Sequence, residues 1–258
     1  FRKGILMTKY FEPSKRDADN WMRLQDVFDE HNYELSDILI NFPAHVRRRE
    51  LARFISHYEL FKPVIDLPGC ILELGVSYGG SFFTWSKLLE TFCTNDRSRK
   101  VFGFDHFMGN QNYTEEDGKL IPGPFNKVVG GFKAPQYAIE KLNDIVNDDN
   151  VVSGNQRSKL IIGDVLETIP KFLEDNPGLR ISLLHIDIDL YEPTKFALDT
   201  LLPLVVKGGI VVLDEYGLIP WQGESIAVDE YLQKNNKNIV IKKHPFVPTP
   251  HGYFVKDW

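Results

Sequence analysis

From residue 70 onward the chain repeats one unit, a short and strongly apolar run followed by a stretch with helical spacing. The apolar runs fall at 71–74, 101–104, 160–162, 181–188 and 210–213. They lack the polar alternation of a half-solvated strand, so they fit parallel strands covered on both faces. Helical spacing at 81–92, 136–146, 167–174 and 194–202 separates most of them. This alternation predicts an α/β fold with a doubly wound sheet. Two further runs, 239–243 and 253–255, flank a Pro-rich turn and predict two last strands.

The first 68 residues read differently. Trp21, Leu24, Val27 and Phe28 share one helical face behind a possible cap at Asp19-Asn20, and 47–61 repeats the pattern. The expected division is a helical lid or extension over 1–68 and a catalytic-type α/β domain over 69–258. Phe1 leaves the native start open, with Met7 as an alternative. A chain of 258 residues can bury a large core without staples. Cys70 and Cys93 lack metal-ligand spacing and fit reduced thiols, hence a cytoplasmic setting. A net charge of -6 with no long like-charge block argues against nucleic acid. No apolar run is long enough to span a bilayer.

Five strand ends carry the candidate chemistry. The run Glu73-Leu74-Gly75-Val76-Ser77-Tyr78-Gly79-Gly80 takes a strand through a Gly-rich turn into a helix, where oriented N–H groups and small residues admit a ligand. Its spacing is not the dinucleotide G-x-G-x-x-G, which favours another nucleoside-like ligand over NAD. Asp105 ends the next strand, at the edge where open α/β sheets bind ligands, and suits two ribose hydroxyls. Asp164 could accept from an adenine amino group or simply cap the following helix. The strongest signal is Leu184-His185-Ile186-Asp187-Ile188-Asp189-Leu190-Tyr191, followed by Leu213-Asp214-Glu215-Tyr216. Carboxylates gathered at a half-buried edge repel one another, so Asp187, Asp214 and Glu215 point to a hard divalent cation such as Mg²⁺. If the strand continues, Asp187 and Asp189 face opposite ways, one toward the ion and one structural.

Weaker candidates stay open. His185 fits a satisfied core histidine, and His106 could face the pocket beside Asp105. Arg47-Arg48-Arg49 is either a solvated helix face or a phosphate clamp. Trp221 and Glu224 could rim a substrate site, or Trp221 could be core. The irregular stretch 106–135 is long for a compact domain and suggests a functional loop.

On these residues the chain resembles the macrocin O-methyltransferase (TylF-type) family, nearest its nucleotide-deoxysugar 3-O-methyltransferase branch. The resemblance spans about 42–258. It rests on Phe42-Pro43 with Arg47-Arg48-Arg49-Glu50-Leu51-Ala52-Arg53-Phe54, on Leu72-Glu73-Leu74-Gly75-Val76 and Gly103-Phe104-Asp105, and most on His185 to Thr194. It implies a class I S-adenosylmethionine-dependent methyltransferase fold with a divalent ion. Glu73 and Gly75 would border the methionine part, with Tyr78 and Ser81 nearby. Asp105 would hold ribose, and Asp164 would touch adenine. Asp187, Asp214 and Glu215 would match the metal ligands; many members carry Asp at the last of these. The implied acceptor is a sugar hydroxyl, on a nucleotide-linked deoxysugar or a glycosylated natural product. The cation would acidify that hydroxyl and Asp187 would take its proton. A homo-oligomer is expected. The rival readings are a methyltransferase for a phenol or catechol and a non-catalytic S-adenosylmethionine-binding protein.

Overall fold

The structure is a computed structural model and describes residues 15–123 and 125–258. The alternative start at Met7 lies outside the described residues. All five predicted central strands form: β1 (Cys70–Leu74), β2 (Val101–Asp105), β3 (Ser158–Ile162), β4 (Ile181–Ile186) and β5 (Val205–Leu213). They run parallel, and β6 (Gly252–Val255) pairs antiparallel with β5. The sheet order is β3-β2-β1-β4-β5-β6. The order reverses between β1 and β4, which opens a crevice at their carboxyl ends.

Side-chain alternation divides the core between the two faces of the sheet. Leu72, Leu74, Phe104, Leu184, Ile186 and Leu213 pack on one side. That side is covered by α7 (Val165–Asp175), α8 (Tyr191–Leu201) and α9 (Gln222–Lys234). Ile71, Val101, Leu183, Ile210 and Val212 pack on the other, under α4 (Arg48–Phe61), α5 (Gly80–Phe92) and α6 (Gln136–Asp148). Glu73 and His185 share the parity of this second face, so two polar side chains are fully buried there. Three N-terminal helices precede α4 among the described residues: α1 (Lys15–Glu30) and the short α2 (Leu35–Ile40) and α3 (Phe42–His45). Neither α2 nor α3 buries a residue.

Several expectations are corrected. Asp19 and Asn20 lie inside α1 and do not cap it. The run 239–243 contributes one bridge, Lys242 to Tyr253, and no strand. β4 stops at Ile186, two residues short of the predicted end. The helix α9 was not anticipated. Its apolar Ala227 and Val228 sit among charged neighbours in sequence and are selected by packing on the core with Leu198 and Leu201.

Candidate active site

A cavity of about 350 Å³ opens at the carboxyl ends of β1, β2, β3 and β4. Gly75, Ser77, Asp105 and Asp164 line one part of it, and Asp187 and Asp189 line another. Backbone hydrogen bonds carry the sheet register past the strand ends. Gly75 N donates to Phe104 O, and Asp187 N donates to Leu74 O, each at 2.9 Å. Gly75 has φ +91°, and a Cβ there would lie 1.7 Å from the Asp187 carbonyl oxygen. The glycine is therefore required by the contact between the two strand ends as well as by the turn.

Asp105 is fixed by two backbone donors, Ser77 N at 2.7 Å and Phe107 N at 2.6 Å. Those bonds tie the Gly-rich turn to the end of β2. Asp164 accepts from Leu166 N at 2.9 Å and so caps α7, while still lining the cavity. His106 also lines the cavity, its Nδ1 accepting from Met108 N.

Three residues expected around the cofactor do not line this cavity. Tyr78 projects outward and is 58% exposed. Ser81 is buried and donates to Glu73 Oε1 at 3.2 Å. Glu73 points to the α4–α5 side because of its parity in β1, and its Oε2 lies 3.2 Å from His185 Nδ1. His185 Nε2 lies 3.3 Å from Asp214 Oδ1. Burial alone would depress the His185 pKa, but the bonds to Asp214 and Glu73 outweigh it and push it up to about 10. The buried His185 ring thus links the strand leading into the glycine turn with the acid after β5, with Trp85 Nε1 3.4 Å from its Nδ1. His185 is a satisfied core histidine, as its sequence position suggested.

The expected trio Asp187, Asp214 and Glu215 does not converge on one point. Asp214 and Glu215 fall into two separate groupings, each shared with Asp187. Ligand atoms of His185, Asp187 and Asp214 lie within 4.8 Å of one another, and so do those of Asp187, Asp189 and Glu215. Asp189 joins the second set because the chain has left the strand and turns there with φ +61°. Asn110, from the long loop, donates to Asp189 Oδ2 at 2.6 Å.

Arg53 on α4 supplies the counter-charge. Its guanidinium grips both oxygens of Asp214 at 3.1 and 3.0 Å and reaches Asp187 Oδ2 at 3.2 Å. Burial would raise Asp214, yet Arg53 and His185 hold its carboxyl well below the usual carboxylate range. Burial, then repulsion from Asp214, pushes Asp187 well up. Burial raises Asp189 to about 6. Burial, then repulsion from Asp189, drives Glu215 up as well.

Both carboxylate oxygens of Glu215 are buried without a hydrogen-bond partner, as is Oε2 of Glu224. The other oxygen of Glu224 accepts from Glu215 N at 3.0 Å. Desolvated carboxylates without donors are costly, and a hard divalent cation among Asp187, Asp189 and Glu215 would relieve that cost. The donor set fits such an ion.

The long loop packs against this centre. Asp117 accepts from Tyr191 N at 2.8 Å, and Lys127 donates to the carbonyls of Asp117 and Pro220. Trp221 is 2% exposed beneath Lys127 and Phe132, so it belongs to the core and not to a rim. Residue reading missed Arg53 and Asn110 as site residues, and it left Asp187 and Asp189 as a pair of which one serves the ion and one is structural. Arg53 stood only within the arginine-rich run of the resemblance.

Sheet order and cavity position together define a class I methyltransferase fold. Residues 72–216 match the family described as a methyltransferase domain, and the chain belongs to that family. It is 28% identical over 174 residues to demethyldecarbamoylnovobiocin O-methyltransferase of Streptomyces niveus, covering 66% of this chain and 60% of that one. It is 26% identical over 173 residues to mycinamicin III 3''-O-methyltransferase of Micromonospora griseorubida, covering 66% and 62%. The chain thus spans about 60% of the length of these curated relatives. The apo structure of CalS11, a TDP-rhamnose 3'-O-methyltransferase of calicheamicin biosynthesis, superposes with TM-score 0.77 at 30% identity, covering 96% of this chain and 98% of that one. Among the described residues no helix is long and apolar enough to cross a membrane.

Proposed function

We propose that this protein transfers the methyl group of S-adenosylmethionine to a hydroxyl of a sugar, with a divalent cation such as Mg²⁺ at the acid cluster. The observation that carries this reading is the single cavity in which Asp105, Asp164 and the glycine turn face Asp187 and Asp189. One part suits a nucleoside, and the other suits an acceptor that must lose a proton. The TDP-rhamnose on which CalS11 acts supports the choice of a sugar hydroxyl.

Methyl transfer from a sulfonium needs oxygen, carbon and sulfur in line, so positioning supplies much of the rate. Asp105 holds the ribose hydroxyls and Asp164 Oδ2 meets the adenine amino group. A bound cation would acidify the acceptor hydroxyl. Sequence reasoning gave the proton to Asp187, but Asp187 is ion-paired with Arg53. Asp189 lines the same cavity and is held there by Asn110, whose amide donates to its Oδ2. We therefore assign Asp189 the proton and Asp187 a place between Arg53 and the ion. The described part of the N-terminal segment, 15–68, would serve as a lid, with Arg53 over the acids. Leu35, Leu39, Ile40 and Phe42, all exposed, are the surface on which a homo-oligomer would form.

The test pairs calorimetry of S-adenosylmethionine with methyl transfer to a panel of glycosides, sugar nucleotides and catechols. Cofactor binding with turnover of sugar hydroxyls only is expected. Turnover confined to catechols would overturn the acceptor, and binding without any turnover would overturn catalysis.

A further inference from the structure

The helix α9 carries one residue that core packing does not explain. Glu224, Ala227 and Val228 stand three and four residues apart and so share one helix face. Ala227 and Val228 pack in the core, yet Glu224 on the same face is 0% exposed. An acid at this position of a first turn ordinarily stays in water or reaches back to the N-cap backbone N–H. Glu224 does neither. Trp221 N, which a capping glutamate would take, donates to Leu218 O at 2.8 Å. Glu224 Oε1 accepts instead from Glu215 N at 3.0 Å, nine residues back. The start of α9 is also wedged in place. A Cβ on Gly223 would lie 2.0 Å from Asp117 Oδ1 and 2.8 Å from Tyr191 N, so the backbone that carries Glu224 abuts the start of α8.

The second oxygen of Glu224 points to a ligand. Its Oε2 is buried without a partner, as are both oxygens of Glu215. The neighbouring acids are provided for, Asp187 and Asp214 by Arg53 and Asp189 by Asn110. Three buried oxygens that can only accept thus lack a donor among the described residues. Burial, then repulsion from Asp214, pushes the Glu224 carboxyl well up, against the pull of its bond to Glu215 N. An apolar side chain on this face would serve the core at less cost, so an acid buried here needs a partner of opposite charge.

We propose that Glu224 is the fourth carboxylate of the cation site, beside Asp187, Asp189 and Glu215. Its bond to Glu215 N fixes its orientation, and its free oxygen helps to hold the ion. Hard cations take oxygen ligands, and the groups that orient those ligands tune the affinity. The assignment rests on the cation of the function proposed above.

The experiment is calorimetry of the full chain with Mg²⁺, and with S-adenosylhomocysteine as the control. The variant is Glu224→Gln. Because Glu215 N can only donate, the glutamine must offer it the carbonyl oxygen and place its NH₂ where Oε2 stood. A donor then faces the ion, and Mg²⁺ affinity should fall by about ten- to a hundredfold. S-adenosylhomocysteine should bind the variant as it binds the native chain. Asp229→Asn makes the same charge change at an exposed position of α9 and should leave Mg²⁺ affinity unchanged, because salt screens an exposed charge. In excess chelator, Glu224→Gln should melt no lower than the native chain, since the bond to Glu215 N is kept and a buried charge is gone. Equal Mg²⁺ affinity in the native and Glu224→Gln proteins, or an equal loss in Asp229→Asn, would overturn the assignment. A Glu224→Gln chain that melts lower or does not fold would do so as well, by showing a purely structural role. No Mg²⁺ binding by the native chain at millimolar concentration would instead overturn the cation itself, and Glu224's place with it.

Discussion

Replacing His185 by Gln tests the buried link between Glu73 and Asp214. All three side chains are at most 3% exposed. In the variant, Asp214 keeps the two contacts from Arg53, whereas Glu73 keeps the Ser81 hydroxyl at 3.2 Å. Glu73 is therefore the charge left uncompensated. Removing one partner of a buried ion pair costs roughly 3–5 kcal/mol. At about 2–4 °C per kcal/mol for a domain of this size, Tm should fall by roughly 6–20 °C. Adding Glu73→Gln removes the orphaned charge, so the double variant should regain at least about half of the loss. The pH dependence has a definite sign. The His185 pKa is raised from 6.5 to about 10 in the folded state, so its stabilisation is fully present below 6.5 and is lost as pH rises through about 10. Melting curves by circular dichroism should show a wide gap between native and His185→Gln protein near pH 6.5 that closes toward pH 10. A gap below about 2 °C at pH 6.5, or one that widens with pH, would refute the imidazolium link.

Asp105→Ala should weaken S-adenosylmethionine by about ten- to a hundredfold in calorimetry, since a charged hydrogen-bond acceptor is lost; unchanged affinity would remove Asp105 from the cofactor site. Asp189→Asn should lower kcat by about a hundredfold or more with little change in cofactor affinity, and more than Asp187→Asn does, because general base catalysis is worth roughly 10²–10⁴; the reverse order would return the proton to Asp187. Mg²⁺ at about a hundred times its Kd should stabilise the native chain by about 2.7 kcal/mol, read as a rise in Tm, and stabilise Glu215→Gln less. An equal response in both proteins would take Glu215 out of the ion's coordination.

The strands were legible because parallel strands buried on both faces leave continuous apolar runs, and each such run formed a strand within a few residues of its predicted ends. The same logic fails where burial is one-sided or borrowed. In α9, Glu224 is fully buried and Asp229 lies on the outer side, so polarity does not report the face. At 239–243 the apolar pattern exists, but only Lys242 meets the ladder of β6, and β-propensity without a partner makes no strand.

The site was legible as a set of strand ends and not as a geometry. Alternation sent Asp189 to the far side of the sheet, an inference valid only while the backbone stays extended. The strand stops at Ile186, and the left-handed turn at Asp189 brings its carboxylate back beside Asp187 and Glu215. Aspartate tolerates that conformation better than most residues, so the residue type that carries charge into the cluster is also the type that permits the turn. Arg53 was illegible for a different reason. It acts across more than 130 residues of sequence, and nothing in the spacing of α4 distinguishes it from Arg48 or Arg49. Its role follows from the packing of α4 against the β4–β5 side of the sheet. There a guanidinium meets two carboxylates whose own strands place them next to each other, Asp214 N donating to Ile186 O at 3.0 Å. The acids are fixed by the sheet and the cation arrives on a helix outside it. Displacing α4 would therefore leave Asp187 and Asp214 without the Arg53 guanidinium.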